Sequence, residues 1–352
     1  MVKRDGRNFE KSVNLAFQGG GAHGAFTWGV LDRFLEDGRI YIDAISGTSA
    51  GAMNAVVAAD GLMRGGEDGA RELLHRFWKA VSEAGRASPI QRGPIDVFMG
   101  NWSLDNSPSY IFFDLMNRLT SPYEVNPFNL NPLKDILDDI VDFELVRSCD
   151  KLKVFVSATN VETGRVRIFN RHNLTSDMIM ASACLPFMFQ AVEIDGVPYW
   201  DGGYMGNPVL FPFYSQSPSD DVVIVQINPV ERKGTPRSAR EILNRVNEIT
   251  FNSSLLKELR AIDFVRRLLE EGKLDPKDYS HVHVHLIEAQ EDILPLGASS
   301  KLNAEWAFLE HLFDIGRRRA DAWIADHFDD LGKRSTVNLR TMFQGMGAQH
   351  HG

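Results

Sequence analysis

Two stretches decide the fold: VNLAFQGGGAHG at residues 13–24 and IYIDAISGTSAGAMNAVVAADGL at residues 40–62. VNLAF is a short apolar run that stops at Gly19, the pattern of a buried strand entering a tight loop. Residues 22–36, AHGAFTWGVLDRFLE, place Phe26, Val30, Leu31, Phe34 and Leu35 near helical spacing. Gly38 follows, where helices often stop. IYIDAI at 40–45 is a second strand, and AGAMNAVVAADGL at 50–62 is a helix of small apolar residues. Strand–helix–strand–helix predicts a parallel α/β sheet.

Outward from this start, residues 86–132 change character. Pro89, Pro94, Pro108, Pro122, Pro127 and Pro132 alternate with Phe98, Trp102, Tyr110, Phe112, Phe113, Tyr123 and Phe128. Prolines this dense argue against long regular elements. The stretch reads either as a lid-like excursion over a site or as a loop-rich connection packing its own aromatics. Strand signals return at 152–158, 166–169 and 222–227, and helical periodicity at 239–271. HVHVHLI at 281–287 alternates like a half-exposed strand. Residues 304–328 form an amphipathic helix carrying Trp306, Leu309, Phe313, Ile315, Ala320, Trp323 and Ile324. The first dozen residues read as loose, and 331–352 as a polar tail. One domain over 13–330 is expected.

Composition narrows the class. The chain has 352 residues, 43% apolar and 24% charged, enough for a sizeable core. Lys plus Arg is 38 and Asp plus Glu is 47, a net charge of −9. That balance argues against binding nucleic acid, or an anionic membrane, through bulk charge; a local basic patch stays open. Cys149 and Cys184 are too few for a disulfide framework or a multi-cysteine zinc site. They read as reduced, buried thiols, with one disulfide between them left open. No signal peptide and no apolar run of spanning length is visible, so the expected location is cytoplasmic, with signal-less export left open.

Gly47-Thr48-Ser49-Ala50-Gly51 carries the sharpest chemical signal. It is a G-x-S-x-G pentapeptide between a strand and an apolar helix, where a serine projects its hydroxyl above the sheet. Gly47 and Gly51 let strand and helix pack closely, and the helix N-terminus favours negative charge on the attacking oxygen. The plainer reading makes Ser49 an N-cap. Gly19-Gly20-Gly21-Ala22-His23-Gly24 also follows a strand and satisfies G-x-G-x-x-G. A dinucleotide reading would use Asp43 as the ribose acid, but Asp43 falls mid-strand instead of at the carboxyl end where ligands bind. The other use of such a loop is an anion nest, whose N–H groups at Gly20 and Gly21 would meet an oxyanion formed at Ser49.

A serine nucleophile needs a base. Asp201-Gly202-Gly203 sets a carboxylate at a Gly-rich turn, although an ordinary Asx turn has the same residues. His281, His283 and His285 compete, because the order Ser49, Asp201, His would match a Ser–His–Asp esterase. The set GGGAHG, GTSAG and DGG, in this order, resembles the patatin-like phospholipases. SATNVETG at 157–164 is similar to that family's A-T-(N/D)-x-x-T-G segment, and ASACLPF at 181–187 to its A-S-x-x-x-P segment. The resemblance covers about residues 13–230; the last third is similar, less sharply, to bacterial members.

The resemblance implies a three-layer α/β/α fold with a mainly parallel central sheet. It implies a Ser49–Asp201 dyad and an oxyanion hole formed by Gly19, Gly20, Gly21 and Ala22, with Gly24, Gly47, Gly51, Gly202 and Gly203 as motif glycines. Many members carry Arg or Lys in the glycine loop where this chain has His23. The expected activity is a lipid acyl hydrolase of the phospholipase A, lysophospholipase or carboxylester type, acting without cofactor or metal. The expected partners are a lipid or fatty-acyl ester substrate and, transiently, a membrane surface, with no nucleic acid; the sequence leaves the oligomeric state unknown. Arg317-Arg318-Arg319 reads as a solvated helix face with one arginine packed. The rivals are the Ser–His–Asp esterase and a nucleotide-binding oxidoreductase built on the glycine loop.

Overall fold

A computed structural model describes residues 2–4 and 7–344. The strands are β1 (Val2–Arg4), β2 (Arg7–Phe9), β3 (Lys11–Phe17), β4 (Ile40–Gly47), β5 (Lys153–Asn160), β6 (Val166–Asn170), β7 (Val192–Ile194), β8 (Val197–Asp201), β9 (Asp221–Gln226) and β10 (His283–Glu288). β1 and β2 form a small hairpin, so residues 7–9 are not loose, and Phe9 is buried. The central sheet runs β10-β9-β3-β4-β5-β8-β7, with β6 also on β5. From β10 to β5 every pairing is parallel; β6, β7 and β8 are antiparallel additions.

Strand alternation separates two cores. Val13, Leu15 and Phe17 of β3 and Val223 and Val225 of β9 face one layer, while Ala16, Val222 and Ile224 face the other. The first layer holds α1 (Gly24–Asp37), α2 (Ala50–Arg86) and the helix Trp306–His327; the second holds the helix Ala239–Glu270. The result is the expected three-layer α/β/α arrangement. β4 shifts register against β3 between Val13 and Asn14, where Asp43 is the extra residue. Ile42 and Ile45 therefore face the same core although three positions apart.

Several elements differ from the sequence expectation. α2 does not stop at residue 62 but resumes beyond a break at Gly65 and Gly66 and ends at Arg86. The prolines of 86–132 do not exclude helices: Pro94, Pro108, Pro122 and Pro132 each begin one. A first-turn proline gives up an N–H that has no intrahelical acceptor anyway, and its fixed φ suits the helix. Residues 331–344 do not form a free tail. Leu331 and Leu339 are buried, the Thr336 N–H bonds the Val284 carbonyl on β10, and Leu339 joins the core under the helix Ala239–Glu270. Residues 345–352 lie outside the described residues. β10 is not half wet at each histidine: His285 is fully buried and bonds Asp221 at 2.9 Å.

α1 and the helix Trp306–His327 approach through glycine. A Cβ on Gly29 would lie 2.0 Å from the Phe313 carbonyl oxygen, and one on Gly316 would lie 2.1 Å from that of Phe26. Arg317 is packed into this seam with Asp32 and Glu36, and Arg319 pairs with Asp292 at 2.7 Å. Gly316→Leu should therefore force the helices apart and destabilise the fold by about 1–3 kcal/mol or more. Urea unfolding with an unchanged midpoint would contradict this packing.

Candidate active site

Parallel strands bring their carboxyl ends to one edge, and three loops leave the sheet there. Phe17 of β3 pairs with Gly47 of β4, so the glycine loop and the serine turn start side by side. β8 supplies the third, and β5 fixes its place. Phe155 and Val156 of β5 pair with β4 on one edge and β6 on the other; Ala158 and Thr159 pair with β8 and β6. A strand has two edges, so β8 must continue along the edge that β4 has just left. Gly47 stands opposite Val156 and Asp201 opposite Ala158. Asp201 thus ends its strand where the chain from Gly47 turns through Ser49.

Ser49 sits at φ 54°, ψ −120°, ahead of α2. A non-glycine residue at positive φ is strained, and the surroundings hold it. The Ser49 N–H donates to Ser182 Oγ at 2.8 Å, and Thr48 N–H to the Phe17 carbonyl at 3.2 Å. The flanking glycines leave room for this turn: a Cβ on Gly47 would strike Gly51 at 2.5 Å, and one on Gly51 would strike the Phe17 oxygen at 2.6 Å. Ser49 offers no side-chain cap to α2. The N-cap reading of its hydroxyl therefore fails.

Asp201 is 4% exposed. Its Oδ1 accepts the Gly203 N–H at 2.6 Å, its backbone N–H bonds the Cys184 carbonyl at 2.8 Å, and Thr159 Oγ1 donates to its carbonyl at 2.8 Å. The Ser49 hydroxyl is among the groups that favour its ionised form. Burial pushes the Asp201 carboxyl up to about 7, against the opposing pull of the Gly203 N–H, the Ser49 hydroxyl and the Lys301 charge. Gly202 packs on β5, where a Cβ would lie 2.2 Å from the Ser157 oxygen. The hydroxyls of Thr48 and Ser157 converge on the Gly206 carbonyl at 2.7 and 2.9 Å and tie the serine turn to the Asp201 loop.

The glycine loop is braced from below. Gly19 N–H donates to Asn207 Oδ1 at 2.7 Å, so Gly19 is a supporting residue and not a free donor. Gln18 Oε1 accepts the backbone N–H groups of Ile227 and Asn228, and its Nε2 donates to Asn252 Oδ1 at 3.0 Å. Among the described residues the N–H groups of Gly20 and Gly21 have no intramolecular acceptor. Ala22 is buried in the short turn Gly21–His23, and Gly24 lies against Ala50 and Trp78. His23 is buried, bonds Ser300 Oγ at 2.8 Å, and is held down to about 3 by burial and by the Lys301 charge. It is neutral and does not replace a loop cation.

The competing candidates lie elsewhere. His283 and His285 pair with Asp221 and Val223, near the amino end of β9, whereas Ser49 follows the carboxyl end of β4. β10 is also separated from β4 by β9 and β3. Asp43 is on the bulge inside β4, away from the glycine loop's ligand edge. Cys149 and Cys184 are free and buried, and burial pushes the Cys184 thiol up to about 12. Among the described residues no group of three His, Cys, Asp or Glu side chains is arranged to hold a metal ion.

Sequence reasoning missed the supporting set. Ser157, Thr159 and Ser182 lie inside motif segments already noticed, so their braces had a signal. Gln18, Asn207, Asn228 and Lys301 had none, since isolated polar residues acquire meaning here through contacts across the chain. A cavity of about 520 Å³ opens beside the loop, lined by His23, Tyr110, Phe113, Leu185, Phe187, Met188, Tyr204, Ile227 and Lys301 among others. Ile227 touches the Gly20 position from that cavity wall.

Comparison with known proteins adds to this geometry. The chain is similar to VipD from Legionella pneumophila at 14% identity and TM-score 0.37, over 87% of this chain and 67% of that one. It is similar to the type III effector ExoU at 14% identity and TM-score 0.37, over 91% and 54%. For the ExoU–SpcU complex of the Pseudomonas aeruginosa type III secretion system the values are 13%, 0.32, 90% and 52%. The chain thus spans two thirds of the VipD chain and about half of the ExoU chains. Comparison with curated proteins gives no match. The profile of the patatin-like phospholipases matches residues 15–214, more than half of the chain and all of the loops described above. Lipid hydrolysis is the activity that such membership implies. The chain belongs to the patatin-like phospholipase family.

Proposed function

We propose that the protein is a lipid acyl hydrolase, of the phospholipase A, lysophospholipase or carboxylester hydrolase type, working through a Ser49–Asp201 dyad. One arrangement carries this reading: a buried carboxyl raised to about 7 ends its strand beside a serine on a strained turn, with unused N–H groups on the adjoining glycine loop. Asp201 takes the Ser49 proton as Oγ bonds to the ester carbonyl carbon. The oxyanion rests against Gly20 and Gly21, with Ala22 next in the loop. The ester C–O bond then breaks, and the departing alcohol takes the proton from Asp201. Water attacks the acyl-serine, its proton passes to Asp201 and then to Ser49 Oγ, and the fatty acid leaves. No step calls for a metal or a cofactor.

An ordinary carboxylate is a weak base at neutral pH; a carboxyl raised to about 7 is matched to its task. The cavity supports an acyl-chain substrate. Its outer wall includes the helix Pro108–Leu119, where Tyr110 and Phe113 line the cavity while Phe112, Leu115 and Leu119 are exposed. A surface helix apolar on both sides is stable in water only at a cost. Phe128, Leu130 and Phe187 are exposed as well; Gln190 and Ala191, just past Phe187, bond Asn126 and Tyr123. This supports residues 86–132 as a lid-like region meeting acyl chains and touching a membrane surface transiently. We also assign the hydrolase unit to residues 13–330 and its site of action to the cytoplasm, in keeping with two buried free thiols. No helix among the described residues is long and apolar enough to cross a membrane.

A fluorophosphonate probe should label Ser49, and Ser49→Ala should lose both the label and hydrolysis of a short-chain nitrophenyl ester with an unchanged circular dichroism spectrum. Activity within about tenfold of wild type would remove Ser49 as nucleophile, since such groups contribute several orders of magnitude. Asp201→Asn should be as damaging, while His281→Ala and His283→Ala retain most activity. A bulky residue at Gly20 should lower turnover by about 10²–10³ by displacing its N–H. A change confined to KM speaks against the oxyanion role.

The pH dependence has a defined sign. Asp201 acts ionised, so kcat/KM should rise as pH passes through about 7. The same raised pKa costs stability: the folded state loses stability as pH rises from the unfolded value of about 4 toward 7. Asp201→Asn never ionises. It should melt at a higher temperature than wild type at pH 8 and at nearly the same temperature at pH 4, measured by calorimetry. Equal melting at both pH values would show that the carboxylate is not strained by burial.

A further inference from the structure

Lys301 lies on the short turn Ala298–Leu302, outside the family match, and lines the cavity beside His23. Its turn meets the glycine loop at several points. The Lys301 carbonyl oxygen lies 2.4 Å from where a Cβ on Gly21 would stand, and Gly21 has φ 59°. Neighbouring Ser300 bonds His23. Lys301 Nζ donates to Asn228 Oδ1 at 2.7 Å, and Asn228 Nδ2 donates to the Gly19 carbonyl at 2.8 Å. Ammonium, amide and loop therefore form one chain of hydrogen bonds.

The charge of this lysine is not spent on an ion pair. Among the described residues no carboxylate lies within ion-pair distance of Nζ. Glu248, on the helix Ala239–Glu270, is engaged by Arg232 at 2.7 Å and by Arg245 at 3.1 Å. The other titratable groups lining the cavity are neutral His23, Tyr204, and Tyr110 and Asp114 on the helix Pro108–Leu119; Asp201 is not part of the lining, but its carboxyl feels the Lys301 charge. An unpaired ammonium in a largely apolar cavity is costly, and its field is strong because little water screens it.

We infer that Lys301 is a positioning residue for the oxyanion loop, holding Gly19 through Asn228 and supplying from the last third of the chain the positive charge that His23 does not supply. This rests on the Ser49–Asp201 reading. The charge stabilises an oxyanion more than a neutral ester carbonyl, so it acts on turnover more than on substrate affinity. It also keeps Asp201 ionised at lower pH. Burial lowers the ammonium to about 8, partly offset by Glu248 and Asp201 and reinforced by Arg232. Turnover should therefore rise through about 7 as Asp201 ionises and fall again through about 8 as Lys301 loses its proton.

The test compares wild type, Lys301→Met, Lys301→Gln and Lys301→Arg as full-length proteins, using nitrophenyl ester kinetics from pH 5 to about 10, fluorophosphonate labelling and melting temperature. Losing a whole oxyanion donor costs about 10²–10³; for a charge one hydrogen bond behind the donors we expect a fall in kcat of about tenfold or more. Met and Gln should show this fall with KM within about twofold, an acid limb moved to higher pH and no alkaline limb, at an undiminished melting temperature. Arg should restore most of kcat and carry the alkaline limb beyond pH 10. If Met or Gln keeps the wild-type kcat and both limbs, the inference is overturned. It is equally overturned if kcat falls only in step with melting temperature and Arg restores neither, since Lys301 is then structural. Wild type that neither hydrolyses ester nor takes the label at Ser49 removes the hydrolase reading itself, and this inference with it.

Discussion

The edge of β5 is shared by two strands, and the site depends on that sharing. β4 occupies it up to Val156 and β8 takes it over at Ala158. The two strands approach end to end, since β4 is parallel and β8 antiparallel to β5. Their facing ends carry Gly47 and Asp201, and the chain beyond Gly47 must turn off the sheet at once. That turn is Ser49. Backbone hydrogen bonds set this separation, so the serine turn and the strand end that carries the carboxylate are placed side by side by the sheet itself.

Strain at Ser49 and desolvation at Asp201 both work against folding, and the surrounding polar set offsets them. Gln18, Asn207, Asn228 and Asn252 are buried side chains that bond one another or the backbone beneath the glycine loop. Thr48 and Ser157 fasten the serine turn and β5 to one carbonyl at Gly206, in the loop after Asp201. Buried polar groups tolerate little displacement, because each broken bond leaves an unsatisfied partner. In the proposed mechanism the loop's N–H groups are thus aimed before substrate arrives, which is the condition under which such donors favour the transition state.

Charge in the site follows burial. His23 and Lys301 line one cavity, the first driven neutral and the second lowered to about 8, and the buried Asp201 carboxyl that feels the Lys301 charge is raised to about 7. Each shift is dominated by loss of water around the charged form. Each of the Asp201 and Lys301 groups feels the other's charge, which favours the charged form of both. The apolar outer face of the helix Pro108–Leu119 stands over the same cavity, so its contacts also set how much water reaches these groups.

Local pattern in the sequence determined the elements that begin at a glycine or repeat at a fixed period. VNLAF, IYIDAI and the helix after each read directly, because alternation and tight glycine turns are properties of adjacent residues. Ser49, Asp201 and the glycine loop were legible as motifs for the same reason. The prolines of 86–132 were misread, since a proline ends a helix from its interior and starts one from its first turn, and composition does not say which applies. His285 looked like the wet face of a strand and is sealed by Asp221 and the returning chain at residues 331–336. The use of Gly19 as a brace, the neutrality of His23 and the presence of Lys301 against the loop were decided by tertiary structure alone. Each depends on partners 188, 277 or 73 positions away in the chain: Asn207 for Gly19, Ser300 for His23, Asn228 for Lys301. Such separations leave no periodicity in sequence, and only the closing of the sheet brings the groups within hydrogen-bond distance.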